Sequence, residues 1–408
     1  RQGLPSPRGG VAEGNNLEKI YIIDYVGQSD DLGKPVGHPV KAVKEAVELL
    51  AGAVNVGLIM PRNYEAEFND EKNSIKFFLK YHSKINISNF FNRAASFWGK
   101  ISNLMRVFRN VEEGILWFIN PDFLLYVFMC FFPFLVKKKR KIVLTLYMEG
   151  FGRSRNLRGR VKDFFFRRAI HKVDLVMKNS EKISVAGREV FCHTVVPGFP
   201  GACGTAAKRL TPCPRGGLFY PDYIYSEDKY KQYRVEKQDY ILCAGLMNRA
   251  RDLLTLIDVY RRSGIELKLK MPGYFPDKNL LREALECAAG DKRIEIVDAY
   301  LNGADYYREI AGARFSILPY KKSSYFRRTS GLLLESIFLD TPVIAPAFLL
   351  EFTGLPGIAY EKLEDMEKLL AALDKEKLQD IEKQMKESRA SFARDKVRER
   401  IVAAFAKL

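Results

Sequence analysis

The feature that most constrains the fold is a repeated alternation of short apolar runs with segments of helical periodicity. Lys19–Tyr25 is almost wholly apolar, as expected of a strand covered on both faces, and Val40–Leu50 repeats apolar residues at helical spacing. Further apolar runs follow at Val54–Met60, Ile115–Asn120, Lys141–Tyr147 and Val173–Lys178. Strands that alternate with helices predict a parallel sheet joined by crossover helices.

The same alternation returns in the second half of the chain. Residues 197–238 are punctuated by proline and glycine and lose the periodicity, so they predict a linker. Predicted strands then follow at Tyr240–Ala244, Leu267–Met271, Ile294–Val297, Ala313–Pro319 and Pro342–Ala345, with helices at 252–262, Asn279–Ala289, Ala304–Ile310 and Gly331–Leu339. We therefore predict an α/β protein of two doubly wound domains, with a cleft facing the carboxyl ends of both sheets.

The expected domain boundaries follow from these patterns. Residues 1–16 have no apolar signal-peptide core and are expected to be a flexible lead-in. The first domain is predicted at 17–200, the linker region at 201–238, the second domain at 239–375 and a helical tail at 376–408. The six cysteines show no close pairing, which favours a reducing compartment.

The charge distribution bears on the partner. The formal net charge is +17, and most of the positive excess lies in residues 1–200. Such an excess favours a polyanionic surface or substrate, such as phospholipid, nucleic acid or a phosphorylated lipid. A hydrophobic content of 47% without low-complexity sequence excludes the disordered and fibrous classes.

Ser316–Pro346 is the segment with the clearest chemical character. It predicts a strand that ends near Tyr320, a basic loop, and a helix that Ser330 and Gly331 begin. The free N–H groups and positive dipole end of a helix bind phosphate, and glycine permits close approach of the backbone. Glu335, about one turn into that helix, is placed to meet a ribose diol. The sequence therefore predicts an anion site here.

This segment resembles the donor-binding motif of the family-four nucleotide-sugar glycosyltransferases, which have the GT-B fold of two Rossmann-like domains. The matching features are the glycine, the short apolar run, the glutamate and a later Pro-Val-Ile-Ala. The resemblance implies that Tyr320, Ser330, Gly331 and Glu335 bind the donor. The family often has an acidic residue eight positions before the glutamate. Arg327 stands there in this chain, which implies contacts to phosphate or to an acidic sugar.

A second match lies at Ala244–Leu254, where such enzymes carry basic side chains that neutralise the donor diphosphate. Arg249 and Arg251 are the available cations. Both remain candidates, because the alignment with the family motif is ambiguous by two residues. The alternative for either is a solvated loop beside a helix. Gly273 resembles the strand-end glycine that approaches the base or ribose, although many strand-to-helix turns also need glycine.

The resemblance also implies acceptor-side residues in the first domain. Gly33 and Gly37 resemble the loop beneath the donor diphosphate. His38, at the following helix start, is a proton acceptor, a ligand of the acceptor sugar or a structural residue of the helix cap. Glu149 is the candidate catalytic base if the reaction inverts configuration. If the reaction retains configuration, Glu149 orients the acceptor, and an exposed loop carboxylate is the structural alternative.

No cofactor is expected beyond the UDP- or GDP-sugar substrate. The resemblance implies that arginines and a helix N-terminus neutralise the phosphates, so that no metal is needed. Cys192, His193, Cys203 and Cys213 lack the paired spacing of a zinc site. The sequence has no Walker loop, nucleophile elbow or HExxH motif.

Three basic segments with aromatic residues in the first half favour docking on an anionic membrane, and a solvated charged face is the alternative for each. They are the amphipathic stretch at 89–109, the run Lys137–Lys141 and residues 151–172. The apolar run Phe123–Val136 is too short to span a bilayer and predicts either a buried helix or an interfacial segment. We expect a peripheral protein on the cytoplasmic face of the plasma membrane.

Together with the basic segments, the resemblance implies a hexosyltransferase that moves a sugar from a UDP- or GDP-sugar to a lipid-linked or polysaccharide acceptor at a membrane surface. Nucleic acid is not an expected partner. The alternative is a non-catalytic protein that binds nucleic acid or another polyanion and keeps a degenerate nucleotide domain. The arrangement of Ser330, Gly331 and Glu335 favours the enzyme, because a nucleic-acid-binding protein has no need of it.

Overall fold

The computed structural model describes residues 19–29, 38–68, 75–80, 83–84, 90–136, 139–146, 157–178, 184–185, 188–189, 217–221, 223–299, 301, 303–326 and 328–408. Within these ranges the chain forms two α/β halves, each built on a parallel sheet.

The first half contains the strands β1 (Ile20–Ile23), β2 (Gln28–Ser29), β3 (Val56–Pro61), β4 (Ile75–Leu79), β5 (Ser83–Lys84), β6 (Gly114–Phe118), β7 (Arg140–Leu146), β8 (Leu175–Lys178), β9 (Ser184–Val185), β10 (Arg188–Glu189) and β11 (Gly217–Phe219). Its helices are α1 (His38–Leu50), α2 (Phe90–Asn110), α3 (Phe123–Phe131), α4 (Pro133–Val136) and α5 (Leu157–Ile170). A short 3₁₀ helix spans Arg62–Glu67.

The first sheet is parallel, and its described strands run in the order β11-β8-β7-β6-β1-β3-β4. Every residue of β3 and β6 is buried, because helices cover both faces of the sheet. The order reverses between β1 and β6, so the carboxyl ends of these two strands border the crevice at the switch point.

The second half contains the strands β12 (Gln238–Leu242), β13 (Gly245–Leu246), β14 (Lys268–Tyr274), β15 (Ile294–Asp298), β16 (Ala313–Ile317), β17 (Val343–Pro346) and β18 (Ile358–Tyr360). The remaining helices are α6 (Glu227–Lys231), α7 (Leu253–Arg262), α8 (Lys278–Ala288), α9 (Gly303–Gly312), α10 (Lys322–Tyr325), α11 (Gly331–Phe338), α12 (Ala347–Thr353), α13 (Met366–Ala371), α14 (Lys375–Ser391) and α15 (Arg394–Phe405). A short 3₁₀ helix spans Leu363–Asp365.

The second sheet is also parallel, and along β15-β14-β12-β16-β17-β18 it has the strand order of a doubly wound sheet. Its order reverses between β12 and β16. Both halves therefore present a switch point, as the alternating sequence pattern predicts.

Each sheet has an apolar core on both faces. In the first half, α1 and α15 pack on one face and α2, α3 and α5 on the other. In the second half, α7 and α8 cover one face and α9, α11 and α14 the other. Burial on both faces explains why most strands read as continuous apolar runs.

Two segments differ from the boundaries expected from sequence. β11 pairs in parallel with β8, so part of the segment expected to be a linker belongs to the first sheet. The helix α15 returns to the first half, where Val397, Ile401 and Phe405 lie in its core. Their spacing of four residues places them on one face of the helix, which explains why the predicted helical tail packs on the first half.

The apolar run expected to be either a core or an interfacial segment forms α3 and α4. Leu125, Phe128 and Met129 are buried in the core, whereas Phe131 and Phe134 are mostly exposed. No helix in the described part of the chain is long and apolar enough to cross a bilayer.

Candidate functional site

The switch point of the second sheet brings two loops together. Arg251 follows β12 and Tyr320 follows β16, and the two residues form an antiparallel bridge. The Lys321 amide donates to the Ala250 carbonyl at 3.1 Å, and the Asp252 amide donates to the Pro319 carbonyl at 2.6 Å. Backbone hydrogen bonds therefore fix the position from which the Arg251 side chain extends.

Arg251 is a buried cation, with only 5% of its surface exposed. Its Nη1 donates to the Ala244 carbonyl at 2.8 Å, and the guanidinium carbon lies 5.3 Å from the centroid of the Tyr320 ring. Among the described residues, no carboxylate pairs with this guanidinium and its Nε has no hydrogen-bond partner. A buried charge is costly without a counter-ion, so this arrangement suits an anionic ligand.

Tyr320 connects Arg251 to the N-terminus of α11. Its ring stacks on Tyr325 with centroids 3.6 Å apart, and its hydroxyl lies 3.0 Å from the Ser330 Oγ. The Ser330 Oγ also accepts a hydrogen bond from the Leu333 amide at 3.4 Å and so caps the helix. The Tyr320 side chain therefore lies between the buried arginine and the N-terminal cap of α11.

Glu335 lies one turn into α11 and is buried. The Tyr306 hydroxyl donates to its Oε2 at 3.0 Å, and the Lys41 Nζ donates to its Oε1 at 2.7 Å. Burial, and after it the charge of Glu335, raises the pKa of the Tyr306 hydroxyl well above its usual range. Tyr306 therefore stays protonated and donates to the carboxylate.

Three side chains that contact Glu335 were not predicted from the sequence, namely Lys41, Tyr306 and Tyr307. Tyr223, whose ring lies beside Lys41, was not predicted either. Tyr306 and Tyr307 lie on α9. An adjacent pair of aromatic residues beside acidic and basic residues is only a weak indication of a binding site. Lys41 lies on α1, and its position between apolar residues in the sequence is typical of a solvent-exposed lysine. Only the approach of the two halves reveals its contact with Glu335.

The two candidate arginines have different surroundings. The Arg249 Nε pairs with Asp277 at 2.8 Å and its Nη2 pairs with Glu283 at 3.0 Å, and its side chain is 56% exposed. Arg249 is thus neutralised by carboxylates at α8, whereas Arg251 lies at the switch point. The geometry favours Arg251 as the ligand-binding cation.

The two candidate glycines have neighbours that explain the lack of a side chain. A Cβ at Gly273 would lie 2.1 Å from the Gly245 carbonyl oxygen, because β13 and β14 pair there. A Cβ at Gly331 would lie 2.6 Å from the Tyr223 ring. Close packing of the protein itself therefore requires glycine at both positions, whether or not a ligand also approaches them.

Several predicted site residues lie outside the described residues. These are Gly33, Gly37, Glu149 and Arg327. His38 is the first residue of α1, but its side chain is also outside the described part. Across the described ranges, no group of three or more His, Cys, Asp or Glu side chains is arranged to hold a metal ion.

At the corresponding switch point of the first sheet, two carboxylates accept hydrogen bonds from other groups of the protein. The Asp24 carboxylate accepts hydrogen bonds from the Val26 and Gly27 amides and from the Tyr64 hydroxyl, at 3.0 to 3.2 Å. The Tyr25 hydroxyl donates to Asp122. Burial raises the pKa of Asp24, and these hydrogen bonds oppose that rise. The carboxylates therefore hold the backbone that follows β1.

No protein-family model matches the sequence, and no curated protein matches it. Solved structures match nearly the whole chain. An α,α-trehalose-phosphate synthase (UDP-forming) from Burkholderia vietnamiensis is 11% identical with a TM-score of 0.66, and the match covers 96% of this chain and 97% of that chain.

Two further solved structures show the same likeness. The enzyme of the same name from Burkholderia xenovorans, in complex with glucose-6-phosphate, is 10% identical with a TM-score of 0.65, covering 95% of this chain and 100% of that chain. HepE from Anabaena, in complex with UDP and glucose, is 12% identical with a TM-score of 0.60, covering 96% and 100%. The chain therefore has the GT-B fold that was predicted from its sequence, with two Rossmann-like domains and a C-terminal helical segment.

Proposed function

We propose that this chain is a nucleotide-sugar-dependent hexosyltransferase that uses a UDP- or GDP-sugar. The observation that carries the proposal is the surroundings of Arg251, a buried cation without a described carboxylate partner at the switch point of the second sheet. Doubly wound sheets bind ligands in this crevice. The capped N-terminus of α11 adds a second positive group beside it.

In the proposed reaction, Arg251 and the N-terminus of α11 hold the donor diphosphate. An acceptor hydroxyl attacks the anomeric carbon, the bond to the diphosphate breaks, and negative charge builds on the leaving group. A fixed guanidinium and helix N–H groups stabilise that charge without reorganisation. A metal ion is therefore not required in this proposal, since protein groups supply the positive charge.

Glu335 is proposed to accept hydrogen bonds from the donor ribose. Its carboxylate is held by Tyr306, which fixes its orientation. The likeness to a UDP-forming enzyme and to a structure that holds UDP supports a uridine nucleotide in particular. The acceptor would approach from the first half, where Gly33, Gly37 and His38 remain predictions. Glu149 remains the predicted base for an inverting reaction.

We further propose that the acceptor is lipid-linked or a polysaccharide and that the protein acts at the cytoplasmic face of the plasma membrane. The support is an aromatic–basic face, defined as Phe131, Phe134 and Phe164 with Arg160, Arg167 and Arg168. The rings of Phe131 and Phe164 both pack on the Phe165 ring, so the three rings form a continuous apolar surface. The three phenylalanines are between 56% and 68% exposed.

The exposed side of α5 carries the basic part of this face. Arg160, Phe164, Arg167 and Arg168 are all exposed and recur at helical spacing on one side. An anionic lipid surface suits a face that combines apolar rings with cations.

Parts of two segments expected to dock are buried in the fold, and Lys137 and Lys138 lie outside the described residues. Leu104 and Phe108 of α2 are buried in the core, so its main apolar stripe is unavailable to lipid. Arg140 is also buried and donates to the carbonyls of Leu135 and Phe108. The aromatic–basic face therefore lies mainly on α3, α4 and α5, with Trp98 of α2 also exposed.

The proposed function is tested by the binding of UDP, GDP, glucose-1-phosphate and a single-stranded oligonucleotide, measured by thermal shift and calorimetry. We expect one nucleoside diphosphate to bind and raise the melting temperature, which also identifies the base. Binding of the oligonucleotide without either nucleotide would contradict the proposal and favour a polyanion-binding protein.

A further inference from the structure

Lys41 belongs to the first half, and its ammonium group contacts Glu335 in the second half. Its Nζ donates to the Glu335 Oε1 at 2.7 Å and to the Tyr307 hydroxyl at 3.1 Å. It also lies 3.7 Å from the centroid of the Tyr223 ring. All three partners lie outside the first sheet and its helices, so the contact spans the junction between the two halves.

A second ion pair crosses the same junction. The Lys229 Nζ pairs with the Glu45 Oε1 at 3.2 Å. Lys41 and Glu45 are four residues apart on α1 and therefore share one face of the helix. That face presents a positive and then a negative charge to Glu335 and Lys229, which carry the opposite signs. At these two contacts the two halves are thus matched by charge.

These contacts occupy the Glu335 carboxylate. Its Oε1 accepts from Lys41 and, at 3.4 Å, from the Tyr307 hydroxyl, while its Oε2 accepts from Tyr306. The residue as a whole is 4% exposed. A ribose hydroxyl that is to donate to Oε1 must approach that oxygen, and in this arrangement the Lys41 ammonium group covers it.

We propose that Lys41 is a gate: its ion pair with Glu335 must separate before a donor ribose can bind there. This inference rests on the proposed function, because it takes Glu335 as the ribose ligand. Since Lys41 belongs to α1, its release is linked to movement of the first half relative to the second. The energy needed to separate the pair then lowers the apparent affinity for the nucleotide.

The gate predicts that loss of the Lys41 cation strengthens nucleotide binding. Removal of a positive charge near a diphosphate would by itself weaken binding. A gain in affinity therefore identifies release of Glu335 as the dominant effect. We expect Lys41→Met to lower the dissociation constant roughly tenfold, the change expected if the competent state rises from about a tenth of the population to nearly all of it.

The matched controls are Lys41→Arg, which keeps the ion pair, and Lys44→Met, which removes a lysine of α1 whose Nζ lies over the Phe68 ring of the first half. The experiment is a calorimetric titration of UDP and of GDP into each folded variant. We expect both controls to bind within twofold of the wild type. Lys41→Ala is measured as well, so that the result does not depend on one substituent.

The possible outcomes separate the gate from the proposed function. Tighter binding by Lys41→Met and Lys41→Ala, with unchanged controls, supports the gate. If the wild type binds a nucleotide and the two Lys41 variants bind it equally well or more weakly, the gate is overturned but the nucleotide assignment stands. Failure of both nucleotides to bind to the wild type and to every variant overturns the proposed function, and the gate with it.

Discussion

The guanidinium of Arg251 lies over the ring of Tyr320, 5.3 Å from its centroid, at the point where the strand order of the second sheet reverses. A desolvated cation–π contact of this kind contributes about 2 kcal/mol. Tyr320 in turn reaches Ser330, which caps α11. One aromatic side chain therefore fixes both the buried cation and the helix terminus that we assign to the diphosphate.

Substitution of Tyr320 should separate the roles of its hydroxyl and its ring. Tyr320→Phe removes one hydrogen bond and should lower the free energy of unfolding by about 1 kcal/mol. Tyr320→Leu also removes the stacking on Tyr325 and the contact with Arg251, so its loss should be larger. Urea unfolding measures both, with the half-exposed Tyr274→Phe as control. Equal losses for the two Tyr320 variants would contradict a structural role for the ring.

Gly331 should not tolerate a side chain. Gly331→Ala would place a Cβ 2.6 Å from the Tyr223 ring, and overpacking of this kind costs about 1 to 3 kcal/mol. Gly303→Ala is the matched control, because nothing lies within 4 Å of its added Cβ at the start of α9. Thermal or urea unfolding of the two variants tests the contact. A stability of Gly331→Ala equal to that of the control would show that Tyr223 does not pack there.

The buried Glu45 should make stability pH-dependent. Burial raises the pKa of its carboxyl from 4.5 to about 7, against the opposing charge of Lys229. The folded chain therefore holds this proton more tightly than the unfolded chain does. Its contribution to stability is fully present below about pH 4.5 and is lost as the pH rises to 7, with a slope of about 1 kcal/mol per pH unit.

Glu45→Gln tests this dependence by removal of the titrating group. The comparison is urea unfolding between pH 5 and 8 for the wild type, Glu45→Gln and Glu48→Gln, the last being an exposed residue of the same helix. We expect the Glu45 variant alone to have a flatter pH profile. Identical profiles for all three proteins would contradict the assignment of the slope to Glu45.

The aromatic–basic face should bind anionic vesicles. Arg160→Glu with Arg168→Glu should abolish binding to phosphatidylglycerol vesicles at low salt, because each basic residue near the surface contributes about 1 kcal/mol. The matched double reversal, Lys383→Glu with Lys386→Glu on the exposed side of α14, should leave binding unchanged. Vesicle co-sedimentation measures both. Equal losses of vesicle binding by the two double variants would show that only the net charge of the protein matters. Unchanged vesicle binding by both would contradict the membrane proposal.

The sequence predicted the inner strands of both sheets and several of the helices packed on them, because burial on both faces of a parallel sheet leaves a strong apolar pattern. The edge strands β4 and β18 were not predicted. β11 was missed, because a three-residue strand among prolines and glycines carries too little periodicity. The return of α15 was also missed, since Val397, Ile401 and Phe405 are diluted by charged neighbours.

The candidate site was predictable where residues are neighbours in sequence and unpredictable where they meet through the fold. Ser330, Gly331 and Glu335 form one local segment, and their positions at the start of α11 were predicted. The choice between Arg249 and Arg251 depends on carboxylates at α8 that no local pattern connects to them. The contact between Lys41 and Glu335 joins residues almost 300 positions apart in the two halves.

The central claim is that a nucleoside diphosphate binds at Arg251, and it is tested most directly by calorimetric titration of UDP and GDP into Arg251→Met and Arg249→Met. Arg251→Lys, which keeps a charge at the site, and the melting temperature of each variant show whether folding is intact. We predict that Arg251→Met weakens binding about 10- to 100-fold, the loss expected for a charged hydrogen-bonding group, and that Arg249→Met stays within about twofold. Equal affinities for folded Arg251→Met and the wild type would contradict the account.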